Sequence, residues 1–180
     1  MYRFQDGNPS YIAEISRTAP TLFIFLLDQS ESMEDPFGGS GAVSKAAFIS
    51  DAVNRVLHDL VIRSTKTEEV RNYYYISVIG YGSTVGPAMA GPLAGRELVS
   101  IAEVADYPAR IEIRSKTVAD ASGQTSTSPV RFPIWVDPKS ENGTPMCQAL
   151  QRAKDPGGRM GIGSSARLPS NYPAPNRRRI

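Results

Sequence analysis

The sequence holds a single cysteine, Cys147, so no internal disulfide can form, and a reducing compartment, the cytoplasm, is the expected location. Long hydrophobic runs are missing as well. The longest, Leu22 to Leu27, is far too short to cross a bilayer, and no membrane partner is expected. The N-terminal MYRFQDGNPS has no basic stretch leading into an apolar core, so no signal peptide is expected. Strong net charge is absent too: +2 over 180 residues implies no specific nucleic-acid partner. What is present, 41% hydrophobic and 21% charged residues, is close to the globular average and excludes wholesale disorder. The length suits one domain with a tail.

Charge and pattern change together near residue 154. From Gln151 to Ile180 there are seven basic residues and one acid, Asp155, whereas the first 150 residues hold 13 basic and 17 acidic ones. Beyond Lys154 no apolar periodicity remains, and Gly157, Gly158, Gly161 and Gly163 mix with Pro156, Pro169, Pro173 and Pro175. Such a stretch buries too little apolar area to offset its ordering entropy. The expected organisation is a domain over 1–154 and a basic, disordered tail over 155–180.

The expected fold class is α/β. Thr21 to Leu27 is a continuous apolar run, the pattern of a strand buried on both faces, and it ends at Asp28. From Ala42 to Ile62 the period is helical, with Val43, Ala46, Ile49, Val53, Val56, Leu57 and Leu60 on one stripe. Tyr73 to Ile79 reads as a second strand ended by Gly80 and Gly82, which makes a βαβ unit with a right-handed crossover. Glu97 to Ala105 reads as a short helix. Arg110–Arg114 and Val130–Val136 alternate strictly, the pattern of a hairpin at a sheet edge, where Pro133 is tolerated. Thr144 and Pro145 then open a last helix.

The chemistry falls at the end of the first strand. Asp28-Gln29-Ser30-Glu31-Ser32 places one carboxylate and two hydroxyls on alternate residues, just where open α/β sheets bind ligands. Residues two apart in an extended turn can face one point, and their hard oxygens suit Mg²⁺ or Mn²⁺. A polar turn in which Asp28 or Ser30 caps a helix is the plainer alternative.

The stretch FIFLLDQSESM (residues 23–33) resembles the first loop of von Willebrand factor type A domains, whose metal-ion-dependent adhesion site carries D-x-S-x-S. Ile76–Gly82 is similar to that family's second core strand, and Gly143–Leu150 to its second metal loop, where a threonine opens a helix. LLDQSESMEDPFGG, VIGYG and FPIWVDP together are similar to cytoplasmic bacterial members, including those associated with stress and tellurite resistance. The resemblance spans residues 20 to about 152. It implies a Rossmann-like fold with a mostly parallel central sheet flanked by helices and a β-hairpin insertion near 110–136. It implies that Asp28, Ser30, Ser32 and Thr144 hold Mg²⁺ or Mn²⁺, and that an acidic residue of a partner protein completes the shell. It implies a binding module, not an enzyme.

Two departures stand out. Glu31 replaces the usual glycine, and the family's third loop, an aspartate after a further buried strand, is missing because Asp155-Pro-Gly-Gly follows the last helix. The expectation is an incomplete sheet and a weakened site, with Glu31, Glu34 or Asp35 as candidate replacements for the lost carboxylate. The loss of pattern near Lys154 is also what a shifted reading frame or chimeric end produces. The alternatives are thus an inactive truncated remnant and, as an enzyme, a phosphotransferase with Asp28 as nucleophile, for which Ser30 stands where a second aspartate is needed. Gly80 to Gly86 narrowly misses a dinucleotide fingerprint and reads as a strand-ending loop. His58 is expected on the helix surface, Cys147 as a small packed residue of the last helix, and Trp135 in or beside the hairpin.

Overall fold

In the computed structural model, which describes residues 15–16, 18–38, 43–119 and 125–154, the first element is the expected apolar strand, β1 (Thr21–Asp28). A short 3-10 turn (Glu31–Glu34) leads to helix α1 (Lys45–Ser64), whose first turn is capped by the Ser44 hydroxyl accepting the Ala47 N–H at 3.2 Å. A small ribbon, β2 (Thr65–Lys66) and β3 (Glu69–Val70), precedes β4 (Tyr74–Tyr81). Then come β5 (Val85–Pro87), β6 (Val99–Ser100) and helix α2 (Ile101–Asp106), held by a capping box between Ser100 and Glu103. The hairpin β7 (Arg110–Ala119) and β8 (Thr125–Ile134) and helix α3 (Met146–Ala153) complete the described chain. The expected tail, 155–180 with Asp155, lies outside the described residues. No helix among those described is long and apolar enough to cross a membrane.

The βαβ unit is present, and the fold is mixed α/β with a partly parallel sheet. β1 and β4 pair in parallel over their whole length, from Thr21 opposite Tyr74 to Asp28 opposite Tyr81. The expectation of a mostly parallel sheet is corrected: β5 and β6 both run antiparallel to β4. Because β1 occupies one edge of β4, these two short strands share the other. The hairpin is also corrected in one respect. It forms, longer than expected, but as a separate two-stranded sheet instead of an edge of the main one.

The Thr21 N–H donates to Tyr73 and the Gln29 N–H to Tyr81, so odd residues of β1 turn their backbone toward β4 and even ones turn it outward. Among the described residues no strand pairs that outer edge. The two faces of the sheet are unequal. Phe23, Phe25 and Leu27, with Ile76 and Val78, pack against Val53, Leu57 and Leu60 of α1 in the main core. On the opposite face α3 packs on β4 and β1 through fully buried Ala149. Eight helical residues span about 12 Å, less than half the length of an eight-residue strand. Ile79 and Tyr81 are buried there, while Ile24 and Tyr75 at the far end stay more than a third exposed.

The expected helical stripe needs correction at two positions: Val43 lies before α1 and Val56 within it, and both are exposed. Polar Ser50, Asn54 and Ser64 are buried instead. Asn54, 2% exposed, grips the chain leaving the hairpin. Its Oδ1 accepts the N–H of Trp135 at 2.9 Å and of Val136 at 3.0 Å, and its Nδ2 donates to the Val136 carbonyl at 2.9 Å. Trp135 is thereby set in the core, its indole N–H donating to the Val104 carbonyl at 2.6 Å. His58 is half-buried, its ring edge-on to Phe132 at 5.4 Å. Cys147 is exposed, not packed as expected.

The hairpin is tied to α1 by charge. Arg114 lies 3.9 Å over the Phe132 ring and pairs with Asp51, which also binds Arg55 at 2.7 Å. Burial alone would raise the Asp51 pKa, but hydrogen bonds from Arg55 and Arg114 outweigh it and hold the carboxyl below its ordinary 3.8. A depressed folded-state value stabilises the fold above the ordinary pKa and stops doing so as pH falls through the folded one. In urea titrations from about pH 5 down to about pH 2.5, Asp51→Asn should therefore flatten the acid loss of stability. Asn54→Ala, which strands the Trp135 and Val136 backbone groups, should cost about 3 kcal/mol in the same measurement at neutral pH.

Candidate functional site

The site begins where β1 ends. Even residues of β1 face α3, so Asp28 and its register partner Tyr81 project to the same side at the carboxyl end of the strand pair. The Asp28 carboxylate accepts the Ser30 N–H through Oδ1 at 2.8 Å, which curls the turn back on itself. Ser30, 7% exposed, then directs its hydroxyl to that of Ser32, 3.2 Å away. The three alternate residues are thus brought together, as expected from their spacing. Burial, and then the negative charge of Asp28, raises the Tyr81 pKa, so the phenol stays neutral beside the carboxylate.

The intervening residue has a structural role that the motif alone does not reveal. The Gln29 side chain, almost fully buried, folds over the backbone of β4. A Cβ on Gly80 would run into its amide, and one on Gly82 would stand 2.7 Å from the Gln29 carbonyl oxygen. Gly82 is therefore required by the close passage of this turn, whereas a Cβ on Gly80 would displace the Gln29 amide; Gly80 lies within β4 instead of ending it. This explains the glycine spacing without a nucleotide.

The second loop reaches the same rim. The Glu141 N–H donates to the Gln29 carbonyl at 2.6 Å, and Ser30 and Glu141 form an isolated parallel bridge. Gly143, at φ +93°, passes over Gly82 so closely that a Cβ would lie 3.0 Å from its carbonyl. From the far end of α3, Arg152 donates to the Val85 carbonyl at 3.1 Å and pairs with Glu97, which anchors the helix that follows this loop. Thr144 is exposed at the mouth of α3, and its hydroxyl makes no hydrogen bond to Asp28, Ser30 or Ser32. The loop is brought to the turn; the threonine oxygen is not bonded to it.

Glu141 is the residue that motif reading passed over. Its Oε1 pairs with Lys139 at 2.8 Å and its Oε2 accepts the Ser83 hydroxyl at 2.5 Å. Hydrogen bonding from Lys139 first, and from Ser83 second, lowers its pKa, so the carboxylate stays charged at neutral pH. Of the candidate replacements, Glu31, Glu34 and Asp35 are all exposed, and Asp35 is paired with Lys45 at 3.0 Å.

Among the described residues no three His, Cys, Asp or Glu side chains group as a metal set. The donors here are of another kind, one carboxylate with hydroxyls. Their chemistry fits Mg²⁺ or Mn²⁺: all are hard oxygens, Ser30 and Ser32 are within one ion's reach of each other, and one Asp28 oxygen lies outside the Ser30 bond. Compared with known proteins, the chain matches no family model, and no curated protein or solved structure matches it significantly.

Gly82→Ala tests the close passage. The added methyl meets backbone, which cannot swing aside, so the variant should lose about 1–3 kcal/mol in urea unfolding. Gly86→Ala, where a Cβ meets nothing within 4 Å, should stay near wild type.

Proposed function

We propose that the chain is a metal-ion-dependent protein-binding module of the von Willebrand factor type A kind, with a Rossmann-like sheet that is incomplete beyond β1. The observation that carries the reading is the hydroxyl pair Ser30 and Ser32, 3.2 Å apart beside the Asp28 carboxylate at the carboxyl end of a parallel strand. Ser30 and Ser32 would hold the ion directly and Asp28 directly or through water. Thr144 would join them when an acidic partner is bound. When bound, the ion supplies an electrophilic site that a carboxylate from another protein can complete. The residues themselves hold the turn in shape: Asp28 fixes the Ser30 backbone and Gln29 locks the turn over Gly80. The Ser30 and Ser32 hydroxyls face each other, and binding through a shared ion is the function proposed for this arrangement; a reducing, cytoplasmic setting is part of the same proposal.

The outer edge of β1, which no strand pairs among the described residues, favours a second reading, a remnant without a working site. Thermal melting separates the two. Mg²⁺ at a hundredfold its dissociation constant should stabilise the protein by about 2.7 kcal/mol, and Asp28→Ala should abolish that gain. A midpoint that does not move with Mg²⁺ or Mn²⁺ supports the remnant.

A further inference from the structure

We propose that Glu141 supplies a second carboxylate to this metal site, and that Lys139 holds that carboxylate ready when no ion is present. The inference rests on the proposed function above.

Charge favours a second acid from the chain itself. Ser30, Ser32 and Thr144 are neutral donors, so Asp28 alone opposes a divalent ion with one negative charge. Asp137 is engaged by Arg110 and Asp35 by Lys45. Glu141 differs in its backbone setting. It is bridged in parallel to Ser30, and paired residues of a bridge send their side chains to the same side. Its position is secured at three points: the N–H to the Gln29 carbonyl, Oε2 to the Ser83 hydroxyl, and Oε1 to the Lys139 ammonium. The Asp28 turn thus holds the backbone of Glu141 and the Ser83 loop holds its carboxylate.

The Lys139 contact is the replaceable one. Lys139 is exposed and Glu141 half-buried, and the ammonium is a monovalent cation on a long, flexible stem. A divalent ion seated on Ser30 and Ser32 outcompetes it for Oε1, while Ser83 keeps Oε2 in place. Lys139 thus acts as a positioning residue, and its charge opposes ion entry.

The test is calorimetric titration of Mn²⁺ into the full-length chain. Glu141→Gln keeps the shape and the Ser83 hydrogen bond but removes the charge, and should weaken Mn²⁺ at least tenfold. Lys139→Gln should tighten Mn²⁺ severalfold, a gain that a purely structural lysine would not produce. Wild-type binding with unchanged affinity in Glu141→Gln overturns the Glu141 assignment and leaves the proposed function standing. Unchanged or weaker binding in Lys139→Gln overturns the role of Lys139. No binding by the folded wild type overturns both the assignment and the reading beneath it.

Discussion

The parallel register of β1 on β4, which ends with Asp28 opposite Tyr81, is the constraint on which the rim depends. It brings the end of the apolar run level with the end of β4, so that Gln29 passes over Gly80 and Gly82. A slip of one residue would turn Asp28 to the α1 face, toward Val53 and Leu57, and carry Phe25 and Leu27 to the other face. A larger side chain at Gly82 would meet the Gln29 backbone and lift the turn. The carbonyl of Gln29 then receives Glu141, and through it the loop that carries Thr144. The sequence of dependence runs from strand pairing to turn shape to the meeting of loops.

The molecule invests its core on one side. Between the sheet and α1 lie aromatic and aliphatic side chains, closed at one end by Trp135 under the control of Asn54. Among the described residues, the other face is covered at its rim end by the short helix α3. That helix packs where the candidate site needs it, because it fixes the 141–144 loop, and it leaves Ile24 and Tyr75 bare. Among the described residues no strand pairs the outer edge of β1.

Much of this was legible in the residues. The strands at 21–28 and 74–81, the long helix and the hairpin all follow from period and turn chemistry, since burial on one or two faces leaves a repeating pattern. The alternation Asp28, Ser30, Ser32 correctly foretold three side chains sharing one turn. Less legible were pairings between distant segments. The role of Asn54 leaves no mark on the helical pattern, because the backbone it satisfies lies some 80 residues on, after the hairpin. β5 and β6 are two or three residues each, too short for a period. Glu141 sits in the polar stretch PKSENG, which carries no pattern, and only the bridge to Ser30 reveals its place. Cys147 lay on the wrong side of α3 because eight residues define a helical face poorly.

The central claim is that oxygens of the Asp28 turn hold a divalent ion. Its most direct measurement is an anomalous difference map from crystals of the protein grown with Mn²⁺. The account predicts a single strong peak within bonding distance of the Ser30 and Ser32 hydroxyls. A well-ordered turn with no peak there, or a peak bound elsewhere, would contradict it.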